Sequence, residues 1–171
     1  MAGLRPFSCY RKIKRAYTRK SKYRSKSYIR AVPVNKIVKF DQGDLRKEFE
    51  SKIDLISKEK MQVRHNALES ARQLINRKLS GRLGSNYHLQ LRVVPHHVLR
   101  ENKMITGAGA DRMQTGMQKA FGKAIGLAAQ VKSGQPIFSV FVDKKDAEFV
   151  KSTLKAGFYK LPFKCGVVQV K

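Results

Sequence analysis

The chain has 171 residues, 42% of them hydrophobic, and a formal net charge of +25 from 37 Lys and Arg against 12 Asp and Glu. That length and apolar content suffice for one globular core. No run approaches the roughly 18 uncharged apolar residues of a membrane span, and Arg5-Pro6-Phe7-Ser8-Cys9-Tyr10 stands where a signal peptide would be apolar, so a soluble, cytoplasmic protein is expected.

The first forty residues hold thirteen Lys or Arg and no Asp or Glu, and tyrosines recur at Tyr10, Tyr17, Tyr23 and Tyr28. Such a density of like charge repels itself in free solution and becomes favourable when phosphates neutralise it and release counterions. Tyrosine faces can stack on unpaired bases. A membrane-surface helix is the poorer reading, since Ile13, Ala16, Tyr17, Tyr23, Tyr28 and Ile29 make no sustained apolar stripe. The Ser- and Lys/Arg-rich run from Thr18 to Ser27 cannot bury enough apolar surface to fold alone and is expected to order only on its ligand. The like charges of the arm, Arg5 to Arg30, have no internal partners, so the whole arm is expected to be mobile in the free protein and ordered on RNA. Residues 1–33 are therefore read as a basic RNA-binding arm and residues 34–171 as a single globular domain.

Val34 to Phe40 is predicted as a short strand, closed by the turn chemistry of Asp41-Gln42-Gly43-Asp44. Ile53, Leu55 and Ile56 suggest a second strand running to about Glu59. A helix is predicted over about Asn66 to Ser80, with Asn66 as N-cap, Glu69 completing a capping box, Leu68, Ala71, Ile75 and Leu79 as the buried stripe, and Gly81 as the stop. Arg72, Arg77 and Lys78 are placed off that stripe. Tyr87, Leu89, Leu91 and Val93 alternate with His88, Gln90 and Arg92, the clearest half-buried strand in the chain, ended by Pro95.

The segment from His96 to Gly116 is polar and glycine-rich and is read as a long functional loop, Gly107 and Gly109 letting the backbone approach a ligand closely. Asp111 is a candidate cap for a helix burying Met113, Met117 and Phe121. Ala128 to Val131 and Ile137 to Val142 flank Lys132-Ser133-Gly134-Gln135-Pro136 and predict a hairpin. Asp143 is read as the cap of a helix with Ala147, Val150 and Leu154 inward, Lys151 and Lys155 outward and Gly157 at its end. Val167, Val168 and Val170 close the chain as a strand. Strands and helices mix without a βαβ repeat, so the expected class is α+β with a mixed sheet packed against two or three helices.

Nucleotide-site motifs fail. A dinucleotide fingerprint needs a third glycine where Arg112 stands, and a Walker loop needs Ser or Thr after Lys123, where Ala124 stands. Cys9 and Cys165 lack a C-x-x-C partner and read as reduced thiols. His65, His88, His96 and His97 have no Cys or carboxylate at ligand spacing, so no metal site is expected. The scattered acids offer no hydrolytic pair.

Arg100-Glu101-Asn102-Lys103-Met104, Gly107-Ala108-Gly109-Ala110-Asp111-Arg112-Met113 and Ala120-Phe121-Gly122-Lys123-Ala124 closely resemble the large-subunit ribosomal proteins called L-ten-e in archaea and eukaryotes, relatives of bacterial L-sixteen. Arg5-Pro6, Cys9-Tyr10-Arg11 and Gly81-Arg82-Leu83-Gly84 resemble the family too, so the likeness spans essentially the whole chain. The short end after the last strand points to the archaeal type. The resemblance implies an α/β-hammerhead-like fold and a place among rRNA helices of the large subunit near the peptidyl-transferase centre, with the glycine-rich loop towards tRNA acceptor ends.

On this reading the rRNA contacts are Arg5, Tyr10, Arg11, Lys12, Lys14, Arg15, Arg19, Lys20, Lys22, Arg24, Lys26, Arg30, Arg72 and Arg82. The tRNA-proximal loop is carried by Asn102, Lys103, Gly107, Gly109, Asp111 and Arg112. The implied partners are large-subunit rRNA, tRNA acceptor ends and other large-subunit ribosomal proteins. No cofactor, catalytic residue, membrane or small-molecule substrate is implied. The alternative is a general nucleic-acid compaction or RNA chaperone protein, supported by bulk charge but not by a neutral loop between strands. An rRNA-modifying enzyme would need the cofactor loop that both motif tests deny.

Overall fold

The computed structural model describes residues 5–13, 23, 25, 29, 31–103, 107–113 and 122–170. Its elements in chain order are β1 (Asp41–Gly43), β2 (Ser51–Ser57), β3 (Met61–Arg64), α1 (His65–Leu83), β4 (His88–Leu91), β5 (His97–Glu101), α2 (Ala110–Met113), β6 (Lys123–Val131), β7 (Pro136–Val142), α3 (Ala147–Gly157) and β8 (Cys165–Gln169). The α+β class holds. The strands form two sheets, a five-stranded one in the order β1-β4-β7-β2-β8 and a three-stranded one in the order β3-β6-β5. Every pair in both is antiparallel.

In the five-stranded sheet β2 lies between β7 and β8, with Ile53 opposite Val140 and Leu55 opposite Phe138. These four side chains are fully buried. They meet Leu68, Ile75 and Leu79 of α1 and Val150 and Leu154 of α3 in one apolar core, the two helices packing on each other and α3 on β2 and β8. Burial of this area is the dominant favourable term in folding. The inward residues of α3 and the alternation through β4 are as the sequence predicts, and the final strand holds Val167 and Val168 but ends at Gln169, before Val170.

Five expectations are corrected. Residues 34–40 form no strand, and the predicted turn at 41–44 supplies β1 instead. Here β1 pairs with β4, Gln42 facing Leu89, so partner pairing overrides local turn chemistry. The predicted hairpin is not one: β6 joins β3 and β5, while β7 joins β2 and β4, so Lys132-Ser133-Gly134-Gln135 crosses from one sheet to the other. Residues 97–101, read as loop, form β5, with Val98 and Leu99 buried.

The fourth correction concerns α1, which begins one residue early, without a side-chain cap, and runs through Gly81 to Leu83. A mid-helix glycine costs only about 1 kcal/mol, which packing readily offsets. The stop is Gly84, at φ 61°, its N–H reaching Ser80 O at 3.1 Å. Left-handed backbone of this kind is open to glycine and strained for most other residues.

Last, Asp143 does not cap its helix through its side chain. Its carboxylate instead takes an ion pair from Lys47 at 2.8 Å. A 3-10 turn, Lys144–Asp146, stands between it and α3.

Candidate nucleic-acid interface

The basic arm begins on the three-stranded sheet. Pro6 starts a short 3-10 turn, Phe7–Cys9, and β3 then grips the chain through Gln62, whose N–H donates to Arg11 O at 3.2 Å and whose Nε2 donates to Tyr10 O at 3.1 Å. Arg64 donates from Nη1 to Arg5 O at 2.9 Å. Its guanidinium also lies 6.0 Å from the Phe7 ring centre and 5.8 Å from that of Tyr10, within cation–π range. Arg5 donates from Nε to Glu101 Oε1 on β5 at 2.6 Å.

Ile29 is buried against Val98 and Leu127 of the same sheet. The basic stretch is thus held at both described ends, and the expectation that the arm lacks internal partners is corrected at Arg5 and Tyr10. Arg11 and Lys12 stay exposed. Lys14, Arg15, Arg19, Lys20, Lys22, Arg24, Lys26 and Arg30 lie outside the described residues.

Between the docked arm, the β3–α1 junction, β5 and β6 lies a groove of about 200 Å³, with Tyr10, Arg64, His65, Leu99 and Ile125 in its walls and Lys36 and Lys103 beside them. The carboxylate lining it, Glu101, is paired with Arg5. His65 Nδ1 accepts from the Lys36 N–H at 3.4 Å, which assigns the proton of the neutral ring to Nε2. Burial, then the charges of Lys36 and Arg64, push the His65 pKa below its ordinary value, so the ring is uncharged at neutral pH.

The glycine-rich segment leaves the sheet close by. Asn102 and Lys103 follow β5, and Gly122 leads into β6, where Lys123 pairs with Glu101. Both roots of the loop therefore stand side by side, around a cavity of about 780 Å³ lined by Asn102, Lys103, Gly122 and Ile125. Gly109, at φ 79°, turns the chain into α2. Asp111 lies within α2 rather than capping it, Arg112 is exposed, and Met113, expected in a buried face, is 71% exposed. Met117 and Phe121 lie outside the described residues.

On α1, Arg82 is exposed and its guanidinium sits 4.4 Å from the Phe149 ring centre of α3. Arg72 is not where the sequence reading put it. It is 9% exposed and gives Glu69 two hydrogen bonds, from Nε at 2.8 Å and Nη2 at 2.5 Å. Glu69 thus serves Arg72 and Gln73 rather than a capping box. The reading also missed Lys36, Arg64 and His65, whose only signal was a short strand, Met61–Arg64, abutting a helix start.

Among the described residues no group of three or more His, Cys, Asp or Glu is gathered to hold a metal, and no helix is long and apolar enough to cross a membrane.

Residues 13–168 match the model of the family described as ribosomal protein L16p/L10e. The chain is 51% identical over 160 residues to large ribosomal subunit protein uL16 of Methanospirillum hungatei, covering 92% of this chain and 91% of the relative. It is 47% identical over 170 residues to the uL16 of Methanococcus aeolicus, covering 97% and 94%. For the uL16 of Staphylothermus marinus the identity is 45% over 166 residues, covering 96% and 92%.

Proposed function

The chain belongs to the ribosomal protein L16p/L10e family, and from that premise we propose that it is a structural constituent of the large ribosomal subunit that binds its rRNA near the peptidyl-transferase centre and helps position tRNA acceptor ends. The family is one of ribosomal proteins and not of enzymes, and no residue here is given a catalytic role.

The observation that carries the finer reading is the shared root of the arm and the glycine-rich loop on one three-stranded sheet. The arm is dense in cations and docked at its ends. Phosphate contacts dominate affinity for nucleic acid, so the arm supplies attachment. From Glu101 to Arg112 the loop has only Lys103 and Arg112 as cations, and both are exposed. A segment so weakly charged, on a fixed base, suits a ligand that comes and goes, such as a tRNA end. Neighbouring large-subunit proteins complete the set of partners.

The test replaces residues 105–110 with a short linker. Incorporation into large subunits, read by sedimentation, should stay near normal, while aminoacyl-tRNA accommodation in a reconstituted translation assay is impaired. Normal tRNA handling by fully loaded mutant subunits would refute the loop's role, and loss of incorporation would make the loop an rRNA anchor.

A further inference from the structure

The groove beside the docked arm has the composition of a site for one nucleotide, not merely for an anion. Its imidazole is held in place, because His65 Nδ1 is engaged by the Lys36 N–H. The residue is 9% exposed. Its other nitrogen, Nε2, carries the proton and meets no hydrogen-bond partner among the described residues. The nitrogen is open to the groove, where it can donate to an acceptor from outside the chain.

Close to it is Gly126 of β6, where a Cβ would stand 3.3 Å from Nε2 and crowd the ring. The uncharged part of the wall is Tyr10, Asn66, Leu99, Leu127 and Ile125, the last 42% exposed. Cations stand around it at Lys36, Arg64 and Lys103, while Glu101 is neutralised by Arg5.

We propose that this groove receives a single unstacked nucleotide of RNA, its base against Tyr10 and accepting a hydrogen bond from His65 Nε2, its phosphate held by Arg64 and Lys103. The inference deepens the RNA-binding reading above and rests on it. A phosphate alone is served best by charged donors, whereas an uncharged donor among apolar and aromatic side chains matches a base, which offers a π-face and acceptor atoms on its edges. Insertion of an unpaired base between aromatic and cationic side chains is how proteins recognise single-stranded RNA positions.

The test uses the full chain with nucleoside 5′-monophosphates as probes, and ribose 5-phosphate and inorganic phosphate as controls. Nitrogen-15 NMR of the imidazoles reads His65 Nε2, and proton spectra read the Tyr10 ring. The monophosphates should shift both signals saturably, while ribose 5-phosphate leaves Nε2 in place. His65→Phe should abolish the difference between nucleotide and ribose 5-phosphate, and His65→Gln, which keeps a donor, should restore part of it. Gly126→Ala, which crowds the imidazole, provides a second route to the same loss if His65→Phe fails to fold. Equal responses to ribose 5-phosphate and nucleotide would overturn the proposal in favour of a plain anion site. A wild-type groove that ignores nucleotides, in a chain that still enters large subunits, would overturn it too and leave the ribosomal reading standing.

Discussion

In the main core Ile53, Leu55, Phe138 and Val140 of the five-stranded sheet are fully buried together with Val63, Ala129 and Val131 of β3 and β6 and the inward faces of α1 and α3, whereas a second cluster beside β5 and β6 consists of only Ile29, Val98 and Leu127, with Ala124 against it. The charges divide along the same line. Nine of the 12 acidic residues fall in 41–59 and 143–148, segments brought together where Ser51 pairs with Val142 and where Lys47–Asp143 and Lys144–Glu50 form ion pairs. The groove on the three-stranded sheet has one carboxylate, Glu101, and Arg5 pairs with it. One region therefore supplies stability while the other presents net positive potential where the arm and loop emerge, the separation a polyanion ligand requires.

The strongest test of that division is unfolding. Leu154→Ala, in the main core, should cost roughly 2 to 5 kcal/mol by urea denaturation. Leu127→Ala, in the small cluster, should cost less and make the arm more sensitive to protease, because it loosens the seat of Ile29. Equal costs with no change in proteolysis would break the comparison.

A smaller effect is expected at Arg72, where truncation leaves Glu69 shielded from water with only Gln73 to bond it. Arg72→Ala should destabilise the chain by roughly 1 to 3 kcal/mol and leave the salt dependence of RNA binding unchanged. An unchanged urea midpoint with weaker RNA binding would return Arg72 to the interface.

Arg72 also shows how much the sequence disclosed. Leu68, Ala71, Ile75 and Leu79 form the stripe, and position 72 lies beside it, four residues after Leu68 and three before Ile75, so its inward placement was legible from helical periodicity. What hid it was residue type, since a charged side chain is buried only when paired, and its partner Glu69 had been assigned to a cap. Elements with one buried face, such as β4 and α3, announced themselves. The sheet assignment of β6 and β7 did not, because two strands joined by a turn-rich segment read as a hairpin unless their other partners are known. The groove was invisible for a related reason: Tyr10, His65 and Gly126 meet only through long-range pairing, and none carries a local motif.

Salt dependence probes the charge division directly. Each arm cation that contacts a phosphate should lower the log–log slope of RNA binding by about 0.7 to 0.9 when replaced by Ala. Lys144→Ala, at the acidic end where it pairs with Glu50, should leave the slope alone. A matching drop there would show RNA spread over both regions.

The smallest expected effect is acid sensitivity of the three-stranded sheet. Burial and the neighbouring Lys36 and Arg64 lower the pKa of His65, and burial with His96 and Arg100 lowers that of His97. In the unfolded chain both titrate near the usual value of about 6.5. Between the folded and unfolded values the unfolded chain binds more protons, so stability is fully present above roughly pH 6.5 and is lost as pH falls below it, by at most about 1.4 kcal/mol per pH unit for each proton. The His65→Gln variant should flatten part of that decline in urea midpoints measured from neutral pH downward, and the double variant with His97→Gln should flatten more. Because His97 lies on β5 and His65 stands against Gly126 of β6, hydrogen exchange at pH 5.5 should quicken first in β5 and β6, and uniform quickening across both sheets would mean that the two regions open as one unit.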